Sequence, residues 1–197
     1  MSVTKQTILR LVQLGLLSGL IILLQAVIVI PMPGSLTLSL VLVPIVVGAV
    51  LYGAKAGAIL GGVFGVLVSV MAIQGQLGAL TTMMVEHNAL LTVTVCMLKG
   101  VAAGWIAGLV NGAFKKRALI GIFAAAAAAP IVNTGIFLLG MFTVFHGVLV
   151  EVAGGANLLT FAIVALVGFN FLIEFGANLL LAPAISSIVK AVKKIGK

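Results

Sequence analysis

Polar side chains that could contact a small molecule are rare in this sequence and fall inside long apolar runs. Lys99 lies in one such run and Glu174 in another. Lys99 lies about eleven residues into its run, which at ~1.5 Å per residue is near mid-depth if the run crosses a membrane. A charge at that depth is costly unless it faces a partner or a cavity. The two groups therefore predict either a polar pocket or a buried Lys99–Glu174 ion pair.

Polar residues in one further run and in the Glu174 run complete this candidate site. They are Asn133, Thr134 and Asn170. Asn170 shares one helix face with Glu174 and Asn178, because these three residues recur every four positions. If they form a pocket, we expect Glu174 to lie deeper, with Lys99 and the asparagines nearer a ligand. Alternatively, the amides hold neighbouring helices together.

His87 and Asn88 follow Glu86 at the start of the run that contains Lys99. This short polar tract is either a solvated loop or part of a lid over a ligand. We include His87 and Asn88 among the candidate ligand contacts.

Signatures of catalysis are missing. The sequence has no G-x-x-x-x-G-K-[ST] phosphate loop, so this chain alone is not expected to hydrolyse ATP. It also has no H-E-x-x-H motif and no aspartate, and its single cysteine, Cys96, is not a metal site. We therefore predict that this chain is not an enzyme and that it binds no metal or cofactor.

The composition predicts an integral membrane protein. Hydrophobic residues make up 63% of the 197 residues and charged residues only 7%, whereas soluble domains carry about 25% charged residues. The net charge is +8. The basic residues lie at the ends of apolar runs and form no patch interleaved with aromatic residues, so nucleic acid is not an expected partner.

The apolar runs predict an all-α bundle of six membrane helices in a single domain, residues 1–197, because a span needs about 20 apolar residues. The predicted helices cover residues 7–30, 38–52, 56–74, 89–111, 118–145 and 158–189. Pro31-Met32-Pro33-Gly34 separates the first two. The tract 74–88, the basic turn 115–117 and the loop 146–157 separate later helices.

The basic residues fix the orientation of this bundle. All but Lys99 fall on one side of a six-span topology: Lys5, Arg10, Lys55, Lys115, Lys116, Arg117, Lys190, Lys193, Lys194 and Lys197. The three loops on the other side hold no lysine or arginine. Basic residues favour the cytoplasmic side, so both termini are predicted to be cytoplasmic.

Glycines recur every four residues in three of the predicted helices. The third helix has Gly57, Gly61 and Gly65, the fourth has Gly100, Gly104 and Gly108, and the first has Gly15 and Gly19. Small residues let helix backbones approach closely in lipid. We expect packing within the bundle for the third and fourth helices. For Gly15 and Gly19 we expect either packing or docking onto another membrane protein.

The sequence resembles the substrate-binding S components of energy-coupling factor (ECF) vitamin transporters. The resemblance is carried by LVPIVVGAVLYGAKAGAILGGVFG at residues 42–65, Lys99-Gly-Val-Ala-Ala-Gly104, Phe169-Asn170 and the Gly15/Gly19 pair. Residues 42–65 are most similar to the pantothenate-type branch, and Lys99 is compatible with the carboxylate of pantothenate.

The resemblance implies a multi-pass subunit of a bacterial cell membrane that binds a water-soluble vitamin outside the cell. It implies docking through Gly15 and Gly19 onto a membrane coupling subunit, with two cytoplasmic ATPase subunits that use ATP. The S component then topples in the membrane to release the vitamin. Riboflavin, folate and other vitamins remain open as substrates. A self-contained transporter or channel and a small membrane enzyme are the competing functions.

Overall fold

The computed structural model describes residues 3–27, 30–32, 36–38, 40–114 and 116–195. Some residues given a role above lie outside this description: Ile28, Val29, Pro33, Gly34, Ser39, Lys115 and Lys197. The side chains of Lys5, Phe169, Lys193 and Lys194 lie outside it as well.

The described residues form a helical bundle with one small hairpin. The helices are α1 (Val3–Val27), α2 (Leu42–Tyr52), α3 (Ala54–Ile73), α4 (Ala79–Ala113), α5 (Ala118–Thr143), α6 (His146–Ala153), α7 (Leu158–Thr160) and α8 (Phe169–Ile195). The hairpin strands are β1 (Ile30–Met32) and β2 (Leu36–Leu38), and a π-helical segment covers Phe161–Gly168.

Five of the described helices are long and apolar enough to cross a bilayer. They are Gln6–Ala26, Ala54–Ile73, Ala79–Ala113, Ala118–Thr143 and Asn170–Val192. The remaining predicted span, the second in the chain, corresponds to α2, which has 11 residues and a length of roughly 16 Å. These lengths and compositions confirm the prediction of an all-α, multi-pass membrane bundle.

The hairpin corrects the predicted ends of the first two helices. β1 pairs with β2 in antiparallel register, with Ile30 opposite Leu38 and Met32 opposite Leu36. α1 therefore ends at Val27 and α2 begins only at Leu42. Proline has no backbone N–H and clashes with a preceding helical turn, so Pro31 favours this extended backbone over a longer α1.

Neighbouring helices surround α2 on nearly every side. Ile45, Val46 and Ala49 are completely buried, which explains why the helix is apolar all round. α2 ends at Tyr52, and α3 begins after a single glycine. Gly53 has φ +85°, a conformation that favours glycine, so α3 can start at once.

Close backbone contact between α3 and α4 confirms the packing role predicted for their glycines. A Cβ atom on Gly61 would overlap the carbonyl oxygen of Gly100, and one on Gly57 would overlap that of Gly104. The reciprocal substitutions overlap in the same way. α3 and α4 therefore run antiparallel at a separation that only glycine permits.

The structure differs from the prediction in the segments that precede the long parts of α4 and α8. Residues 79–87 are helical, and α4 breaks at Asn88, where φ is −163° and ψ is 104°. α6 lies within the predicted loop 146–157, and it forms a 93° bend with the helical stretch Leu158–Val164. The predicted helix 158–189 begins as α7 and the π-helical segment before α8.

Candidate functional site

A cavity of about 80 Å³ lies where α1, α3, α4, α5 and α8 converge. Five of the seven predicted ligand contacts line it: Lys99, Asn133, Thr134, Asn170 and Glu174. α1, α4, α5 and α8 each contribute a polar residue from an otherwise apolar face, whereas α3 contributes the apolar residues Phe64 and Val68. The bundle therefore brings together residues that are far apart in the sequence.

The Lys99 ammonium group lies between two aromatic rings at this cavity. Its Nζ atom is 5.9 Å from the centroid of the Phe64 ring and 5.7 Å from that of Phe137. A cation within about 6 Å of a ring face is attracted by the ring quadrupole. The rings thus stabilise the charge of this half-buried side chain, and its ammonium N–H groups can donate to an anionic group.

Three amide oxygens add hydrogen-bonding capacity to the same cavity. Gln25 Oε1, Asn133 Oδ1 and Asn170 Oδ1 are buried, and among the described residues they have no hydrogen-bond partner. Buried acceptors are nearly always satisfied in native proteins by protein, water or ligand. A molecule that brings hydrogen-bond donors would satisfy these oxygens.

Glu174 and Asn178 occupy successive turns of α8 but differ in their relation to the cavity. Glu174 is 5% exposed and lines the cavity. Asn178 is 1% exposed and lies outside the cavity lining. The Nδ2 group of Asn178 donates to the backbone carbonyl oxygen of Glu174 at 2.8 Å. This bond lies within α8 and does not join it to a neighbouring helix.

His87 and Asn88 lie on the outer surface, away from the cavity lining. The His87 ring makes an edge contact with Phe145, at 5.8 Å between centroids. Asn88 caps the long part of α4, because its Oδ1 accepts the backbone N–H of Leu91 at 3.0 Å. Their assignment as ligand contacts stays a prediction.

The cap leads to a stability prediction. Asn88→Ala removes the acceptor for the Leu91 N–H, so we expect a loss of about 1 kcal/mol and a melting temperature lower by about 2–4 °C. Asn88→Asp keeps an acceptor oxygen and should unfold near the wild-type temperature. Thermal unfolding of the purified protein in detergent measures both. Equal melting temperatures for Asn88→Ala and the wild type would contradict the capping role.

Several further residues line the cavity although the sequence does not predict them, among them Gln25, Phe64, Thr81 and Phe137. Gln25 carries a usable signal, since it is a polar residue in the apolar part of the first helix. Thr81 lies in a segment predicted to be a loop. The two phenylalanines are indistinguishable in sequence from residues that pack against lipid.

The glycines of α1 have surroundings unlike those of α3 and α4. Gly15 and Gly19 are exposed, and a Cβ atom on either would have no atom of another described helix within 4 Å. Leu11 and Leu16 on the same helix are 63% and 69% exposed. This part of α1 therefore presents a smooth apolar face directed away from the described bundle.

The family-model comparison agrees with this architecture. Residues 9–186 match the model described as "ECF transporter, substrate-specific component". No curated protein matches the chain. The matched region includes all the cavity-lining residues and both glycines of the open α1 face. The chain therefore belongs to the substrate-specific (S) components of ECF transporters, which are multi-pass membrane proteins that bind the substrate of an importer.

Proposed function

We propose that this S component captures pantothenate outside the cell and that the cavity around Lys99 is its binding site. The observation that carries the proposal is the combination of one half-buried cation with three buried acceptor oxygens around a single cavity. Pantothenate has complementary groups: a carboxylate, hydroxyl groups and an amide N–H. Its carboxylate pairs with Lys99, and its donors pair with Gln25, Asn133 and Asn170.

The cavity must widen to hold a vitamin. Its volume of about 80 Å³ is smaller than the ~150 Å³ of an engineered protein cavity that binds benzene. Thr81 and Met84 line the cavity from the outer segment of α4, residues 79–87. This segment lies between Gly78, which has φ +92°, and the break at Asn88. A tilt of residues 79–87 about these two points opens the site toward the outside.

Delivery requires partners that this chain does not contain. The open α1 face around Gly15 and Gly19 docks onto the membrane coupling subunit, because its lack of side chains permits close helix contact. Two cytoplasmic ATPase subunits hydrolyse ATP, and the S component topples to release the vitamin. A largely uncharged lipid-facing surface supports this reorientation, because moving charges into the bilayer core is costly.

Replacing Lys99 tests the proposed site. Lys99→Met keeps a long apolar side chain but removes the charge, so we expect pantothenate to bind about 10–100-fold more weakly, the range for loss of a charged hydrogen bond. Lys55→Met is the matched control, because Lys55 is exposed in the first turn of α3. Isothermal titration of the detergent-purified variants measures both. Wild-type affinity in Lys99→Met would place the site elsewhere.

A self-contained transporter is the competing function. It predicts pantothenate flux into liposomes that contain this chain alone, whereas an S component binds the vitamin but gives no flux without its coupling module. Flux by the isolated chain would overturn the proposal.

A further inference from the structure

The outer end of α1 contributes a polar side chain to the cavity. Gln25 is 3% exposed and lines the cavity. Its Nε2 group lies 3.6 Å from the Met71 sulfur on α3, and a thioether is only a weak acceptor. Its Oε1 atom is buried and has no hydrogen-bond partner among the described residues.

This arrangement is unfavourable for the empty protein. A buried amide oxygen without a partner loses its hydration and gains nothing in return. A leucine would fill a similar volume and would suit the apolar surroundings of Ile21 and Leu24. Residues that break the local pattern in this way are typical of functional sites. Gln25 thus gains a stabilising role only when a donor enters the cavity.

We infer that Gln25 is a ligand contact, whose Oε1 accepts a hydrogen bond from a hydroxyl or amide N–H of the bound molecule. Gln25 has this role only if the cavity is the ligand site, so the assignment rests on the proposed function. This assignment adds α1 to the helices that contact the ligand. A ligand with an anionic group for Lys99 and a neutral donor for Gln25 satisfies both residues at once.

The contact also links site occupancy to α1. This helix joins the bundle through a narrow stripe, in which Ile21 and Gln25 are buried and Leu14 and Leu17 are partly buried. A hydrogen bond from the ligand to Gln25 adds a contact that exists only in the occupied protein. Gly15 and Gly19 lie on the same helix, so ligand binding restrains the helix that carries the open face.

Gln25→Leu separates a ligand contact from a structural role. We expect pantothenate to bind about 3–10-fold more weakly, as for loss of one neutral hydrogen bond. We expect the ligand-free variant to unfold at the wild-type temperature or above it, because an unsatisfied buried group is removed. Asn178→Leu is the matched control, since Asn178 is an equally buried amide outside the cavity lining, and it should keep wild-type affinity.

The outcomes distinguish this inference from the proposed substrate. Unchanged pantothenate affinity in Gln25→Leu, or a lower melting temperature of its ligand-free form, overturns the role of Gln25. If the wild type does not bind pantothenate, the substrate proposal fails by itself. The inference is then tested by mass spectrometry of the small molecule that co-purifies: its yield per protein should fall in Gln25→Leu, and an equal yield overturns the inference. Whichever molecule binds, a lower melting temperature of ligand-free Gln25→Leu overturns the inference.

Hydrogen exchange tests the link to α1. Pantothenate should slow the exchange of backbone amides in residues 20–27 of the wild type, and it should slow them less in Gln25→Leu at a concentration that saturates both proteins. Equal protection of these amides in the two saturated proteins would overturn the link.

Discussion

Gly61→Ala is expected to abolish stable folding, whereas Gly62→Ala, one residue further along α3, should be tolerated. A Cβ atom on Gly61 would overlap the carbonyl oxygen of Gly100 and would lie 2.7 Å from its carbonyl carbon. These are backbone atoms, so relief requires α3 and α4 to move apart along their whole contact. We expect a cost of at least about 3 kcal/mol, the upper part of the range for overpacked cores.

The neighbouring glycine provides the control because it differs only in its surroundings. A Cβ atom on Gly62 would lie 3.7 Å from Val101 Cγ2, an ordinary contact distance. Alanine also favours a helix over glycine by up to about 1 kcal/mol, so Gly62→Ala should be neutral or slightly stabilising. The yield of monodisperse protein and its melting temperature measure both variants. Matching values for the two variants would show that α3 and α4 do not pack as described.

Gly15→Trp and Gly19→Trp are expected to stop vitamin uptake by cells that contain the coupling module, while ligand binding stays intact. Both glycines are exposed, and a Cβ atom added to either would have no atom of another described helix within 4 Å, so an indole ring fits the isolated chain. The ring would, however, fill the smooth face proposed to contact the coupling subunit. Uptake should fall to the level of cells that lack the chain. Affinity should change by no more than about twofold, as for surface substitutions.

Leu180→Trp is the control for this pair. Leu180 is 81% exposed on α8, so the variant adds the same ring to a different exposed helix and should support normal uptake. Radiolabelled pantothenate uptake and titration of the purified variants give the two readouts. Loss of binding in Gly15→Trp or Gly19→Trp would show that this part of α1 belongs to the bundle core. Normal uptake by both would show that the face is not used for docking.

The repeated glycines illustrate what sequence pattern can and cannot specify. Spacing of four residues predicts a smooth helix face in all three cases, and that much is predictable for α1, α3 and α4 alike. What meets the face depends on tertiary contacts. Gly61 faces the backbone of Gly100, whereas Gly19 faces open space, and no local pattern distinguishes the two environments.

The helix boundaries show the same limit. The break at Asn88 agrees with the predicted start of the fourth helix, because a short polar side chain there caps the backbone. The helix in residues 79–87 is not predicted because Glu86 and His87 obscure its apolar side. The hairpin is not predicted because Pro31 indicates only where a helix ends, while the pairing of Ile30 with Leu38 depends on how the two segments meet.

The candidate site is predictable where a polar residue stands out in an apolar helix. Lys99, Asn133 and Asn170 stand out in this way, and all three line the cavity. Phe64 and Phe137 do not, since their contact with the Lys99 ammonium depends on the approach of three helices. Gln25 also stands out as a polar residue, but only the tertiary fold shows that the outer end of α1 reaches the cavity.

Titration of the detergent-purified wild-type chain with pantothenate, alongside a panel of other water-soluble vitamins, tests the central claim most directly. We predict that the chain alone binds pantothenate at equal stoichiometry with nanomolar to micromolar affinity, and that Lys99→Met binds it far more weakly. Binding of a different vitamin would correct the substrate but keep the S-component function. A folded wild-type chain that binds no member of the panel would contradict the proposed function.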